Sequence, residues 1–233
     1  MANPLLIHYI KLTEFLGQVL GPDYEVVLHD LTDKNQSIIA IANNHVSGRE
    51  IGAPLTNVAL KFLMDKCYET QNYRLHYTGV SASGKALRSS TLFIKDDGKL
   101  IGMLCINFDD SRYRDVGDAI LKLCHPDSFM GFEPVNETLQ EPEFHSSLLV
   151  EESFHNSIDA VVSEAVGREL DELGVTADRL TADERMHIIT ALEAGGIFLL
   201  KGAIPNVAEA LHCSQASVYR YLSQVKNSDQ GND

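Results

Sequence analysis

Residues 86–109 read ALRSSTLFIKDDGKLIGMLCINFD. Two β-rich runs, 86–95 and 99–109, flank Asp96-Asp97-Gly98. Glycine tolerates the positive φ that a tight hairpin turn demands, so the stretch predicts two antiparallel strands. Working outward, NYRLHYT (72–78) is a third strand, and YEVVLHD (24–30) and SIIAIAN (37–43) are two more, joined by the turn-prone DKNQ. Helices are predicted around them. Residues 5–20 place Leu5, Tyr9, Leu12, Leu16 and Val19 on one stripe, and Gly21-Pro22 stops it. Pro54 sits near the start of a helix over 55–68, and 111–124 reads as helical. Helix, two strands, helix, three strands, helix is an α+β plan. Short strands joined by hairpins favour an antiparallel sheet of five.

The composition changes at His125. The stretch 125–148 has Pro134, Pro142, several acids and little periodicity, and reads as an acidic linker. Val150, Phe154, Ile158, Val161 and Ala165 then form a stripe that predicts a long connecting helix within 149–179, ended by Gly174. Thr181 and Glu184 have capping-box spacing and open an all-α unit over 180–226. A disordered tail is expected over 227–233.

Within that unit, VAEALHCSQASVYRYL (207–222) reads as two short helices around a tight turn. A helix-turn-helix needs a small residue where the helices cross, and Ala208 stands there. Val207, Leu211, Val218 and Tyr221 fall at the offsets that hold such a pair together. Ser214 is placed to cap the second helix. Gln215, Ala216, Tyr219 and Arg220 then face outward near its start, where base edges are read. Gln and Arg make bidentate contacts to adenine and guanine, and Tyr reaches a phosphate. His212 stands in the turn where glycine is usual, a left-handed position that His tolerates less easily. A plain helical hairpin would not need all these positions to agree.

The formal net charge of the 233 residues is -14, which at first argues against nucleic acid. It is unevenly spread. Residues 125–196 hold 16 acids and 3 bases, while 197–233 hold 3 of each. DNA senses charge within about one Debye length, ~8–10 Å, so a locally neutral terminus escapes the acidic middle. A neutral patch still binds weakly, and a second copy in a dimer is the simplest reinforcement. No apolar run approaches the ~18 residues of a membrane span. MANPLLIHYIKLTEF lacks a basic start and a cleavage site, so no secretory signal is expected. Cys67, Cys105, Cys124 and Cys213 show no CxxC spacing and read as reduced thiols of a cytoplasmic protein.

Two stretches resist a purely structural reading: NNHVSGREIGAPLT (43–56) and the strand pair bearing Ser89, Ser90, Thr91, Cys105 and Asn107. Polar side chains in mid-strand, beside a Gly-rich loop, are what a small-ligand pocket needs. Asn44, Ser47, Arg49 and Thr56 complete the candidate lining. Arg49 is the loop's one cation and can hold a carboxylate bidentately, so an acidic or amino-acid-like effector is expected. The competing reading has the strand hydroxyls facing solvent and Arg49 pairing with Glu50 at the surface.

NNHVSGREIGAPLT, GKALRSSTLFI and GMLCINFD, followed by the terminal helix-turn-helix, resemble the YheO-like PAS-domain transcriptional regulators. The resemblance covers 5–124 and 180–225. It implies a PAS-like sensory domain over 1–124, a double-stranded DNA operator, an effector linked to amino-acid metabolism, and a homodimer or higher homo-oligomer. Other classes compete. A haem or flavin PAS sensor is another class, and haem would need a ligand such as His76 or His29. An interaction module would dock through 125–196. An enzyme would need a base beside Cys105, and a cysteine in an apolar strand is usually inert packing. The expectation is therefore a DNA-binding regulator with no catalytic residue, no metal and no cofactor.

Overall fold

A computed structural model of the chain describes residues 3–81, 83–124 and 151–229. Its elements run α1 (Pro4–Leu20), β1 (Tyr24–Asp30), β2 (Ile38–Ala42), α2 (Asn57–Met64), β3 (Tyr73–Val80), β4 (Ala86–Asp96), β5 (Lys99–Phe108), α3 (Ser111–Cys124), β6 (Glu152–Ser153), α4 (Ile158–Leu173), α5 (Ala182–Ala194), α6 (Ala203–Ala210) and α7 (Gln215–Asp229). The expected linker over 125–148 lies outside the described residues. So does the end of the expected tail, although α7 continues through Asp229.

The β4–β5 hairpin turns on Asp97 and Gly98, both at positive φ (46° and 79°). Strand order across the sheet is β2-β1-β5-β4-β3-β6. The five expected strands pair antiparallel. The sixth was not expected, and it runs parallel to β3, with Gly79 opposite Glu152 and Val80 opposite Ser153. It takes the place of the first turns of the predicted connecting helix. Ser157 caps α4 by accepting from the Ala160 amide, so the helix begins at Ile158. Phe154 is buried as its apolar character requires, but against Val46 and Leu87 rather than on a helix face. Gly79 makes room for it, since a Cβ there would come within 2.7 Å of the Phe154 ring.

α1 packs Leu5, Tyr9 and Leu16 of its expected stripe against the sheet but is rotated so that Leu12 and Val19 are left exposed. Leu6, Thr13 and Gly17 are buried, while Phe15 and Val19 stand exposed. Gly17 sets this rotation because it abuts Ala42 of β2 with no space for a side chain. α2 is shorter than predicted, as left-handed Lys66 (φ 50°) ends it. α3 is amphipathic yet buries none of its residues.

In the C-terminal unit, α4 packs on α5 and α6, and α5 and α6 pack on α7. Val162, Ile188, Ile189, Val207, Leu211 and Val218 form its centre. Gly174 ends α4 and the Thr181–Glu184 capping box starts α5. The core is continuous with one face of the sheet. Gly196 (φ 77°) sits against Leu60 and Met64 of α2. The Asn35 amide both donates to Lys201 O (2.7 Å) and accepts from Lys201 N (2.9 Å).

Candidate functional site

The C-terminal surface follows from the sequence almost residue by residue. Val207, Ala208, Leu211, Val218 and Tyr221 are buried where α6 meets α7. His212 takes the left-handed turn position (φ 49°), and its Nδ1 lies 2.5 Å from Asp178 Oδ1. Ser214 Oγ accepts from the Ser217 amide at 3.1 Å and so caps α7. Gln215, Ala216, Tyr219 and Arg220 are exposed near the start of that helix. The Arg220 guanidinium stands 5.2 Å from the Tyr221 ring centre, a cation–π distance that steadies it.

The sheet holds a buried polar row. Glu25, Asn107, Ser89 and Tyr77 are direct cross-strand neighbours on β1, β5, β4 and β3. All four side chains are buried. Asn107 Nδ2 donates to Glu25 Oε1 (2.8 Å), and Ser47 Oγ donates to Glu25 Oε2 (2.6 Å). Two residues along each strand, Thr91 Oγ1 contacts Cys105 Sγ (3.1 Å) and the Tyr77 hydroxyl (2.8 Å). At the far end, Thr56 Oγ1 donates to Glu152 Oε1 (2.7 Å). Arg49 is only 1% exposed. Its Nε donates to His155 O (3.3 Å) and its Nη2 to Pro54 O.

Ser47, Arg49, Thr56, Ser89, Thr91, Cys105 and Asn107 are therefore brought together. Ser90 is not, because alternation along β4 turns it to the other face, where its Oγ accepts from the His76 amide. The Asn44 side chain braces the loop by donating to Arg49 O. The surface reading of Arg49 is corrected by its burial, whereas Glu50 is exposed. Sequence reasoning missed Glu25, Tyr77 and Glu152, and it named His29 only as a haem ligand. An acid amid the apolar residues of YEVVLHD was a legible sign for Glu25. Nothing local marks Glu152, which reaches the site from 96 positions beyond Thr56.

The site is electrostatically tense. Burial pushes the Glu25 and Glu152 carboxyls above their usual range, while Ser47 and Thr56 respectively, together with the Arg49 charge, pull them back. Burial, then Arg49, holds the His29 imidazole well below its ordinary pKa, so it is neutral; its Nδ1 pairs with Ser37 Oγ at 2.9 Å. Burial, then Glu152, pushes the Cys105 thiol up to about 12. A thiol so placed is packing, not a nucleophile. Among the described residues no three His, Cys, Asp or Glu side chains cluster to hold a metal, and no helix is long and apolar enough to cross a membrane.

The segment 151–157 closes this site and also touches α4. Ser153 N donates to Asn57 Oδ1 (2.9 Å), and Asn57 Nδ2 to Glu151 O (2.8 Å). Asn156 exchanges bonds with Glu50 N (3.1 Å) and Gly48 O (2.9 Å). Facing the other way, Ser153 Oγ and His155 Nε2 both meet the Glu164 carboxylate of α4.

Comparison with known proteins matches residues 1–125 to the YheO-like PAS domain and residues 161–223 to an HTH domain. The chain is 31% identical to Escherichia coli YheO, with 98% of this chain and 88% of the relative covered. It is 32% identical to a Haemophilus influenzae protein (94% and 90% covered). It is 26% identical to the transcriptional regulator DauR of Pseudomonas aeruginosa (96% of each).

Proposed function

We propose, for a chain that belongs to the YheO-like PAS-domain family and carries a C-terminal helix-turn-helix domain, a DNA-binding transcriptional regulator whose sheet domain senses a small molecule. DNA is engaged by Ser214, Gln215, Ala216, Tyr219 and Arg220. The effector is amino-acid-like and binds in the polar row with Ser47, Arg49, Thr56, Ser89, Thr91, Cys105 and Asn107. The sensory unit is 1–124, the DNA-binding unit is 180–226, and 149–179 carries the signal between them in the cytoplasm.

One observation carries this reading: consecutive residues of β6 face the two units. Glu152 turns into the polar row. Ser153 turns to Glu164 of α4. A ligand that changes the seating of Glu152 therefore moves the start of the helical unit. It does so only if it binds the two seatings unequally. A tenfold change in DNA affinity needs about 1.4 kcal/mol of such difference.

The regulator acts as a homodimer. α3 offers Tyr113, Val116, Ile120 and Leu123 unburied, with Leu123 83% exposed. A second copy supplies the neutral C-terminal unit with the doubled contact it needs. Dimeric helix-turn-helix proteins read half-sites about one helical turn apart, ~34–36 Å.

Selection of binding sequences from random duplex DNA by the full chain tests the reading. An enriched inverted repeat with that spacing is expected. Recovery of no motif at low salt would overturn it. Titration of released cellular small molecules into the DNA complex tests the sensory half, with a shift in operator affinity expected.

A further inference from the structure

Three buried side-chain atoms in the polar row have no hydrogen-bond partner among the described residues: Ser89 Oγ, Asn107 Oδ1 and Glu152 Oε2. The side chains are at most 4% exposed. They are also neighbours. Ser89 and Asn107 face each other across β4 and β5, which sets their Cβ atoms about 5 Å apart. The Ser89 and Tyr77 hydroxyls also lie near the Glu152 carboxylate, and Ser89 favours its charged form, yet neither reaches Oε2 with the geometry of a hydrogen bond. The Asn107 amide cannot turn to relieve this. Its Nδ2 is committed to Glu25, and a flip would set Oδ1 against that carboxylate.

The chemistry of the three atoms is one-sided. Glu152 Oε2 and Asn107 Oδ1 are acceptors, and Ser89 Oγ accepts as readily as it donates. The formal charge points the same way. Two carboxylates, Glu25 and Glu152, share one buried guanidinium, Arg49, and His29 is neutral. Arg49 Nε and Nη2 are already given to backbone carbonyls. A ligand carboxylate here would meet two oxygen acceptors and a surplus negative charge. An ammonium group carries three N–H donors and the missing positive charge.

Resting on the sensory reading above, we infer that the polar row binds the protonated primary amino group of its effector, held by Glu152, Asn107 and Ser89. Recognition is then by the amine end of an amino-acid-like ligand, and Arg49 braces the carboxylates rather than gripping the ligand's acid. Since Glu152 belongs to β6, the ammonium seats the strand that leads into α4.

The test is calorimetric titration of the full chain with matched sets: an amino acid, the amine left by removing its carboxylate, and the acid left by removing its amino group. The standard amino acids and their derivatives serve as the panel, each at up to roughly millimolar concentration. Binders are expected among the amines and amino acids only. Glu152→Gln should weaken them by about 10- to 100-fold, the size of a lost bond to a charged group. Ser89→Ala removes a small hydroxyl that makes no hydrogen bond among the described residues, its melting temperature checks that it folds, and it should weaken the same ligands several-fold. Equal binding by a deaminated acid, or unchanged affinity in both variants, overturns the inference. An acid that binds and shifts DNA affinity leaves sensing intact and removes only the ammonium. An amine that binds through Glu152 without altering DNA affinity does the reverse. If no member of the panel binds, both fall.

Discussion

Arg49→Met tests the electrostatics of the polar row. Methionine keeps most of the volume and removes the charge. Two carbonyl oxygens, of Pro54 and His155, lose their donors. Glu25 and Glu152 lose the buried cation that opposes their desolvation. Removing one partner from a buried charge cluster costs about 3–5 kcal/mol, a large part of an ordinary folding free energy of about 5–15 kcal/mol. The carbonyl share, roughly 1–3 kcal/mol, does not depend on pH. The carboxylate share does, and its sign is fixed. Both carboxyls have folded pKa values raised above the ordinary 4.5, so the folded state holds their protons more tightly than the unfolded chain. Their contribution is fully present below about 4.5 and is lost as pH rises through the raised values. Without Arg49 those values rise further. The variant's deficit should therefore be largest near pH 8 and shrink toward pH 5. Urea unfolding of parent and variant at the two pH values measures it, with equal slopes required for the comparison. Adding Glu152→Gln to the variant should recover stability at pH 8. A deficit identical at both pH values would refute the reasoning, leaving Arg49 as a clamp for backbone carbonyls alone.

Gln215→Ala and Arg220→Ala should each weaken operator binding by ~1–3 kcal/mol and relax base preference at one position, read by fluorescence anisotropy against matched and mismatched duplexes. Val116→Asp with Ile120→Asp should lower the sedimentation mass to that of one chain without lowering the melting temperature, because neither residue is buried within the chain. Gly79→Ala should cost about 1–3 kcal/mol by overpacking against Phe154, and hydrogen exchange should quicken at Ser153. Ser214→Ala should cost about 1 kcal/mol as a lost cap, seen as a lower urea midpoint.

The parts of the fold legible in the sequence are those governed by local rules. Asp97-Gly98 fixed the hairpin through its turn geometry, and Thr181 with Glu184 fixed a helix start through reciprocal capping. The helix-turn-helix was readable because its buried and exposed positions are only residues apart. The errors arise where a distant partner decides. Phe154 lies at helical spacing from Ile158, yet Gly79, Val46 and Leu87 claim it for the sheet. α1 presents apolar residues all round, and the contact of Gly17 with Ala42 turns it so that only part of the expected stripe, Leu5, Tyr9 and Leu16, packs inward. In the polar row, strand alternation alone separates Ser90 from Ser89 and Thr91, a distinction available from period two. Glu152 was out of reach, since its meaning comes from Thr56 and Gly79 and not from its neighbours.

The sixth strand has a consequence for modularity. By position β6 belongs with the helical half, and by hydrogen bonding it belongs with the sheet. A fragment cut after Cys124 takes the sheet without the wall that supplies Glu152 and Phe154, leaving Val46 and Leu87 bare. A fragment begun at the capped start of α4 leaves Glu164 without Ser153 and His155. Recombination that swaps either half for a foreign one therefore succeeds only if the six or so residues before α4 travel with the sheet, whichever helical unit follows. The boundary along which this protein can be taken apart is not the one its chain order suggests.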